Sequence, residues 1–323
     1  LRYGYEVEGT PEHPVLTFNG EFQWKRLENL NCGDFIVLKR GTSVWGSSPE
    51  APFVFHSKKC TNNLTQIVTP RMTVQAARAI GLLVAEGMFS ASTSVAFSNS
   101  EEENVAAVRQ WIESLGLTLK KKLGDNCDYY VCSVQLRDYL QHIGASMGLS
   151  DTKVIPRAVR EGGKEICRAF LQGYIEGEAS VERNCIEVSS ASKRLLQQTQ
   201  TLLLGFGILS SLSHKFNTVY NKNYYRLVIY ELERFSDEIG FITKRKQEAL
   251  AAALEAREKV NANPNMCVIP HLSAKLQKIY EAARNTDKWH YRDERMFGNY
   301  LPRCKRSHRP SRTKIQRILD KYG

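Results

Sequence analysis

Two short segments of the sequence each combine small residues at helical spacing with a carboxylate at the end. The first covers residues 81–86 (GLLVAE) and the second covers residues 173–178 (GYIEGE). Positions four apart share one face of a helix, and the first and fifth positions of both segments are Gly or Ala, so that face is nearly bare. Two such helices can pack with their backbones unusually close. This packing would place the final carboxylates, Glu86 and Glu178, side by side.

Two adjacent carboxylates repel each other, so one of them takes up a proton more readily than an isolated acid does. A divalent cation removes this repulsion, because Mg²⁺ binds one or two carboxylates and completes its shell with water and phosphate. Metal-bound water is a stronger nucleophile, and metal ions beside a phosphate stabilise the attacking and leaving oxygens. In a basic protein the pair therefore indicates phosphodiester hydrolysis.

Taken alone, either segment is more typical of a packed core helix that ends in a surface glutamate. The pattern recurs 92 positions along the chain, in the same element of a repeat, and this recurrence favours the paired site. The repeat spans about 90 residues and reads helix, strands, helix, strands, helix. Its predicted elements are helices over 73–85, 104–115 and 135–143 with strands around 95–97 and 129–134, then helices over 165–177, 192–206 and from 232 with strands around 185–189 and 224–230.

The segments that flank the repeats have a different character. Residues 1–46 predict short strands over 15–18, 22–24 and 35–38, the first two joined by an Asn-Gly hairpin turn. Residues 47–70 are rich in Ser, Pro and Asn and predict a linker. Residues 244–260 predict a solvated helix, and the remainder from 266 is expected to be mainly helical.

The composition favours a soluble protein with a polyanionic partner. The chain has 323 residues, 45 Lys and Arg against 34 Asp and Glu, and a formal net charge of +11. Such an excess favours nucleic acid. No run approaches the roughly 18 apolar residues of a membrane span. The eight cysteines are scattered and include no Cys-x-x-Cys pair, which excludes zinc-ribbon and thioredoxin-type sites and favours reduced thiols inside a cell, in the cytoplasm, nucleoid or nucleus.

The two acidic segments resemble the paired motifs of the LAGLIDADG family of homing endonucleases, in their single-chain, two-repeat form. Residues 168–171 (RAFL), which run into the second motif, strengthen the resemblance. Residues 153–156 (KVIP) are similar to an element of the intein-borne members, and residues 239–241 (IGF) with Arg245 and Lys246 resemble a later element. The resemblance covers about residues 71–250, and the segment from 267 more loosely.

The resemblance implies an α+β fold: two pseudo-symmetric αββαββα repeats forming a DNA-binding saddle, after a partial all-β Hint segment and before a basic, mainly helical segment. It also implies a monomer that cuts both strands of a long DNA site, with neither a membrane nor a small-molecule substrate as partner. Two or more Mg²⁺ ions would be shared between the glutamates and the scissile phosphates. The implied metal set is Glu86, Glu178, Ala85 and Gly177.

Two lysines, Lys153 and Lys246, map to the late elements of the repeats and would be catalytic together with the glutamates. A lysine near the scissile phosphate can polarise water or stabilise developing charge, although either could be an ordinary surface lysine. The chain departs from the family pattern in two ways. Both acids are Glu where Asp is commoner, and the second motif ends in Ala179 rather than Gly, changes that could weaken cleavage.

In such a fold the strands lie in the major groove, where the base edges can be distinguished. The basic C-terminal segment would add phosphate contacts, although it could also be a solvated tail, just as the lysine triplet at 120–122 could be a solvated turn. The candidate DNA-binding residues are Lys120, Lys121, Lys122, Lys222, Asn223, Arg226, Arg303, Lys305, Arg306, Arg309, Arg312 and Lys314.

Residues 9–17 resemble the Thr-x-x-His segment of the Hint fold of inteins, with Thr10 and His13 as the remnant of a splicing site. A histidine that polarises a carbonyl is standard acyl-transfer chemistry. The sequence has no Cys or Ser nucleophile before Leu1 and no C-terminal His-Asn pair, so we expect no self-splicing by this polypeptide.

These observations divide the chain into four segments: a partial Hint segment with linker (1–70), two repeats (71–160 and 161–250), and a basic helical DNA-binding segment (251–323). The expected function is an intein-associated, site-specific DNA endonuclease. One alternative is a DNA-binding regulator on the same scaffold that has lost cleavage, against which both motif acids argue. The other is an RNA maturase, against which the Hint-like residues argue.

Overall fold

The computed structural model describes residues 1–42, 44–46, 72–91, 93–145, 148–218, 221–258, 268–302 and 309–323. The chain divides into two compact units. The first comprises Leu1–Tyr5 and Arg40–Val260, and the second comprises Glu6–Lys39 and Asn261–Gly323. The predicted linker at 47–70 lies outside the described residues.

Strands and helices alternate in an order that repeats once. The strands are β1 (Pro14–Phe18), β2 (Phe22–Arg26), β3 (Gly87–Ala91), β4 (Ser94–Ser98), β5 (Lys120–Lys121), β6 (Asp128–Cys132), β7 (Ala179–Val181), β8 (Ile186–Ser190), β9 (Ser210–Asn217) and β10 (Lys222–Ile229). The helices are α1 (Val74–Glu86), α2 (Glu102–Ser114), α3 (Val134–His142), α4 (Arg157–Arg160), α5 (Lys164–Glu178), α6 (Lys193–Gly205), α7 (Leu232–Glu238), α8 (Lys244–Glu258), α9 (Ser273–Arg284), α10 (Glu294–Phe297) and α11 (Arg312–Tyr322).

The first unit contains two antiparallel sheets of the same topology among its described residues. Their strand orders are β3-β4-β6-β5 and β7-β8-β10-β9. Each sheet follows one long helix, α1 or α5, and each half of the unit reads helix, two strands, helix, two strands, helix. The αββαββα order expected from the sequence is therefore present twice.

The core of the first unit lies around α1 and α5. Helix α1 begins where Thr73 accepts a hydrogen bond from the Ala76 amide at 3.1 Å, and nine of its residues are buried. On α5 the largest buried side chains are Phe170 and Tyr174, both fully inaccessible. Burial of each such side chain stabilises the fold by about 1.5–3 kcal/mol. A helix that is apolar on most sides must be covered on most sides, and here the second helix and the sheets provide that cover.

The N-terminal residues are divided between the two compact units. The Tyr3 carbonyl accepts hydrogen bonds from the Leu212 amide and the Gln200 side chain, both at 2.9 Å, which attaches the first residues to the second sheet. Arg40 pairs with Glu231 at 2.6 Å in the same unit. Contacts thus group residues 1–5 and 40–46 with the repeats. The division of the chain into four domains remains a prediction.

The second unit joins a hairpin to the C-terminal helices. Strands β1 and β2 form an antiparallel pair in which Pro14 lies opposite Arg26 and Phe18 lies opposite Phe22. Residues 35–38 were predicted as a third strand, which is wrong: only an isolated bridge between Ile36 and Thr17 forms. The Phe18 amide donates to the Phe35 carbonyl and the Val37 amide donates to the Leu16 carbonyl on either side of that bridge. The first segment of the unit ends at Lys39, so the pairing does not extend into a strand ladder.

Aliphatic and aromatic residues together form the core of the C-terminal part of the second unit. Its buried members are Leu276, Tyr280, Phe297, Leu301 and Ile318. Among the described residues no helix has both the length and the apolar character needed to cross a bilayer.

Candidate active site

The two motif glutamates lie where a helix runs directly into a strand. Glu86 is the last residue of α1 and Gly87 is the first of β3, while Glu178 is the last of α5 and Ala179 is the first of β7. Both strand-starting residues have extended backbone angles, which stops each helix without a connecting loop. The glutamates are thereby fixed at equivalent junctions of the two halves.

Small residues bring the backbones of α1 and α5 into direct contact, as the sequence predicts. A Cβ atom at Gly81 would lie 2.3 Å from the Phe170 carbonyl oxygen, and one at Gly173 would lie 2.2 Å from the Arg78 carbonyl oxygen. Such distances leave room for no side chain. At the glutamate end, a Cβ atom at Gly177 would meet the Ala85 methyl at 2.4 Å and the Glu86 Cγ at 3.3 Å. The Glu86 side chain therefore starts beside the residue that precedes Glu178.

Two buried lysines reach the same helix ends. The Lys153 ammonium donates to the Ala85 carbonyl at 3.0 Å, and the Lys246 ammonium donates to the Ala179 carbonyl at 2.8 Å and to the Glu176 carbonyl. Their exposed fractions are only 9% and 7%. A cation at the C-terminal end of a helix is stabilised by the helix dipole and the unpaired carbonyls.

The pKa values show that the four charged groups act on one another. Burial raises the pKa of Glu178 to about 7, an effect that Lys153 opposes and the Glu86 carboxylate reinforces. Burial also raises the pKa of Glu86, against the attraction of both lysines. Burial lowers the pKa of Lys153 and of Lys246, and nearby glutamates oppose the change. The structure thus brings all four predicted catalytic residues into a single electrostatic cluster.

The donor set suits a hard divalent cation. Burial disfavours the ionised form of both carboxyl groups and the two lysines only partly offset it, so a divalent cation would stabilise the carboxylates. Carboxylate and carbonyl oxygens are the ligands that Mg²⁺ prefers. The Ala85 carbonyl lies next to Glu86 and already accepts the Lys153 ammonium, so it faces a region that a cation can occupy. Glu86, Glu178 and Ala85 therefore fit a metal, and Gly177 is the equivalent of Ala85 on α5.

Sequence reasoning missed the residues that hold the lysines. Glu176 is 2% exposed and accepts a hydrogen bond from the Thr243 hydroxyl at 2.8 Å, close to the start of α8. On the other side, the Ser192 hydroxyl donates to the Lys153 carbonyl at 2.7 Å. A charged residue in the middle of the motif helix was the available signal for Glu176, because carboxylates are rarely buried without a partner.

The candidate DNA-binding residues of the first sheet point in different directions. Strand pairing places Lys120 opposite Tyr130 and Lys121 opposite Tyr129, so the two lysines lie on opposite faces. Lys121 faces the Tyr129 ring at 6.0 Å, and Lys122 pairs with Asp128 at 3.4 Å. All three lysines are exposed, and Lys120 shares the face of Tyr130.

The second sheet presents a more polar surface. Arg226 lies in the middle of β10, opposite Ser189 and Ser213, and its guanidinium pairs with Glu187 at 3.2 Å. Lys222 occupies the same face at the start of β10 and is exposed. Asn223 lies on the other face, where its amide oxygen is 2.7 Å from the His214 ring nitrogen.

In the second unit, Arg309 stacks over the Phe35 ring at 4.4 Å, which joins the two segments of that unit. Arg312 is the exposed first residue of α11, and Lys314 is half-buried with a pKa lowered by burial and by Arg317. Arg303, Lys305 and Arg306 lie outside the described residues.

The proposed splicing remnant lies before β1 in the second unit. The His13 amide donates to the Thr10 carbonyl at 3.0 Å in a tight turn, and both side chains are exposed.

A family comparison matches the second half of the first unit. Residues 165–240 match the model of the LAGLIDADG-like domain. This range covers the helix that carries Glu178, the sheet from β7 to β10, and α7.

Curated relatives align over most of this chain but over a small part of their own length. The replication factor C small subunit of Methanocaldococcus jannaschii is 26% identical over 90% of this chain and 15% of that protein. The DNA-directed RNA polymerase subunit Rpo1C of the same organism is 28% identical over 62% of this chain and 23% of its own length. A DNA gyrase subunit of Mycobacterium leprae is 27% identical over 75% of this chain and 19% of its own length.

Solved structures align with part of the chain. The homing endonuclease I-DmoI in complex with DNA and Ca has a TM-score of 0.42 and 18% identity, covering 56% of this chain and 97% of that chain. Its complex with DNA and Mn has a TM-score of 0.41 and 16% identity, covering 52% and 96%.

Proposed function

We propose that this chain is a site-specific DNA endonuclease of the LAGLIDADG homing type, which makes Mg²⁺-dependent double-strand breaks in a long target and is associated with an intein. The observation that carries the proposal is the cluster of Glu86, Glu178, Lys153 and Lys246 at the ends of two glycine-packed helices. The family match over residues 165–240 supports it independently.

Each residue of the cluster has a separate task. Glu86 and Glu178, with the Ala85 and Gly177 carbonyls, would hold two or more divalent ions. Bound Mg²⁺ supplies Lewis-acid stabilisation of phosphoryl oxygens and lowers the pKa of water. Lys153 and Lys246 hold fixed ammonium groups at the two junctions, where they can stabilise charge that develops on a scissile phosphate. The pairing of one lysine with each helix end suits one cut in each strand.

Duplex DNA is the substrate that the charge and the sheets favour. Arg226 and Lys222 share one face of the second sheet, and an arginine on an exposed sheet can reach guanine edges in a major groove. The net charge of +11 favours phosphate contacts along a long site. Arg312 and the other basic C-terminal residues would extend these contacts beyond the cut.

The intein association is supported by the diversity of the relatives. The matched proteins belong to replication factor C, RNA polymerase and DNA gyrase, which have different activities, yet each aligns with this chain over less than a quarter of its length. A segment common to such proteins is more simply a shared insertion than a part of each activity. Thr10 and His13, at the start of the N-terminal hairpin, fit the remnant of a splicing site.

The test is to incubate the protein with Mg²⁺ and a large duplex pool and to sequence the new ends, with Ca²⁺ replacing Mg²⁺ for binding. We expect discrete double-strand breaks at one long site. Glu86→Gln and Glu178→Gln should each reduce cleavage by at least about 100-fold while binding in Ca²⁺ persists. The matched control is Glu113→Gln, an exposed acid of α2 that should cut as the parent does.

Two results would overturn the proposal. Sequence-specific binding without breaks in Mg²⁺ would identify a DNA-binding protein that has lost cleavage. Preference for structured RNA over duplex DNA in a filter-binding comparison would identify a maturase. If both glutamine variants cut as the parent does, the site lies elsewhere.

A further inference from the structure

We propose that Glu176 is the positioning residue for Lys246, and that Lys153 is positioned by a different element, so that the two strand-cutting halves can be disabled separately. The inference rests on the proposed function for its strand assignment. Its structural part concerns only how the two ammonium groups are held.

The Glu176 carboxylate binds the turn that precedes α8. One oxygen accepts hydrogen bonds from the Ile242 amide at 2.7 Å and the Thr243 amide at 3.4 Å, and the other accepts from the Thr243 hydroxyl at 2.8 Å. The residue is almost completely buried, with 2% of its surface exposed. Three donors on one buried carboxylate fix that turn against α5, because hydrogen bonds to a charged group are the stronger ones.

The turn that Glu176 fixes in this way sets the position of Lys246. The Thr243 hydroxyl oxygen accepts from the Lys246 amide at 3.4 Å in the first turn of α8. From there the Lys246 side chain returns to α5, where its ammonium donates to the Glu176 and Ala179 carbonyls. Glu176 therefore contacts this segment twice. Its carboxylate binds the residues just before α8, and its backbone carbonyl accepts a hydrogen bond from the Lys246 ammonium. Its negative charge also favours the ammonium form of Lys246.

Helix α1 has no carboxylate at the position that corresponds to Glu176. The residue at the corresponding place of α1 is Val84, which is fully buried. Lys153 is held instead from α6 and its capping residue: the Ser192 hydroxyl donates to the Lys153 carbonyl at 2.7 Å, and the Gln198 amide oxygen accepts from the Ile155 amide at 2.8 Å. The lysines of the two halves, Lys153 and Lys246, are thus held in two chemically different ways.

The first test measures the lysines themselves, without cleavage. Limited acetylation followed by mass spectrometry reports how accessible each ammonium is. In Glu176→Gln, which keeps the shape and removes the charge, we expect Lys246 to react about tenfold faster while Lys153 reacts as in the parent. Gln198→Ala is the matched control and should accelerate Lys153 and leave Lys246 unchanged. Equal acceleration of both lysines in Glu176→Gln would mean general loosening and would overturn the inference, as would no change at Lys246.

The second test follows the two strands of a supercoiled plasmid that carries the target. Glu176→Gln should accumulate nicked circles because one strand is cut about tenfold more slowly, and Gln198→Ala should slow the opposite strand. Slowing of both strands to the same extent by Glu176→Gln would contradict a role confined to Lys246.

Thr243→Val, which removes only the hydroxyl donor, should shift the nick ratio in the same direction and covers the case in which Glu176→Gln fails to fold. If the parent cuts no DNA, the proposed function fails, while the acetylation result still decides whether Glu176 positions Lys246.

Discussion

The carboxyl group of Glu178 lies in surroundings that favour its protonated form. Burial is the largest cause, the Glu86 carboxylate adds to it, and the two lysines only partly offset it, so the pKa rises from 4.5 to about 7. A raised pKa means that the folded protein without metal binds a proton that the unfolded chain has already lost. Above about pH 7 the ionised carboxylate is unfavourable in the folded protein until a cation neutralises it.

The raised pKa of Glu178 gives the stability of the metal-free protein an unusual pH dependence. Between pH 4.5 and about 7 the folded state holds more protons at Glu178 than the unfolded state, so the free energy of unfolding falls as the pH rises. The full shift corresponds to about 3 kcal/mol. Urea titrations in EDTA should show that Glu178→Gln gains stability relative to the parent across this range.

The control for that prediction is Glu113→Gln, which should follow the parent at every pH. Addition of Mg²⁺ should restore the free energy of unfolding of the parent at pH 7 and leave that of Glu178→Gln nearly unchanged. A constant difference between parent and Glu178→Gln from pH 4.5 to 7 would show that this carboxyl group titrates normally.

At the scale of the elements, the close contact between α1 and α5 decides whether the site can form. Gly173→Ala would place a methyl group 2.2 Å from the Arg78 carbonyl oxygen, so the two helices must separate. Overpacking of a tight core costs about 1–3 kcal/mol, and we expect the upper end because the obstacle is backbone. Thermal unfolding should show the loss, and DNA cleavage should fall because Glu86 and Glu178 move apart.

Gly148→Ala is the matched control for this change. Gly148 is exposed, and its nearest neighbour to an added Cβ is the Thr152 hydroxyl at 3.8 Å. The stability should change by less than about 1 kcal/mol. Equal tolerance of both substitutions would mean that the backbones are not in contact.

The spacing of small residues was enough to predict this helix pair and its carboxylates, because periodicity on one helix face is local information. Four strands of the repeats, β3, β5, β7 and β9, were not predicted. Strands β5 and β7 have only two or three residues, and β3 (GMFSA) and β9 (SSLSHKFN) lack a regular alternation of apolar and polar residues. The role of Glu176 could not be derived either: its partners Ile242 and Thr243 are far along the chain, and only the folded protein brings them to α5. The Lys153 and Lys246 positions came from the family resemblance, not from periodicity.

At the scale of the whole molecule, the second unit has its own stabilising centre at Asp293. This residue is 7% exposed and accepts hydrogen bonds from Lys321 at 2.7 Å, Tyr322 at 2.5 Å and the His290 amide at 2.9 Å. Burial works to raise its pKa, but these hydrogen bonds outweigh it and lower the pKa to about 2. The ion pair closes α11 onto the turn that precedes α10.

Asp293→Asn should therefore destabilise the second unit by about 2 kcal/mol at pH 7, as expected for the loss of charge in a buried hydrogen-bond centre. Hydrogen exchange should accelerate in α9 and α11 while α1 and α5 keep their protection. Since the folded pKa is below the unfolded value of 3.8, the contribution is complete above that pH and disappears as the pH falls through about 2. Faster exchange in α1 would show that the two units do not unfold separately.

Both units are expected to contribute to DNA binding, and the salt dependence of binding measures each contribution separately. Every phosphate contact that is lost reduces the slope of log affinity against log salt by about 0.9. Lys222→Gln, on the second sheet, and Arg312→Gln, at the start of α11, should each flatten the slope by that amount and together by twice as much. Arg109→Gln is the control and should leave the slope unchanged, because Arg109 lies on α2 and not on either of the proposed DNA-binding surfaces. The measurement uses the target duplex in Ca²⁺, so that cleavage does not intervene. If Arg312→Gln keeps the parent slope while Lys222→Gln flattens it, the second unit's α11 lies off the DNA, and recognition belongs to the sheets alone.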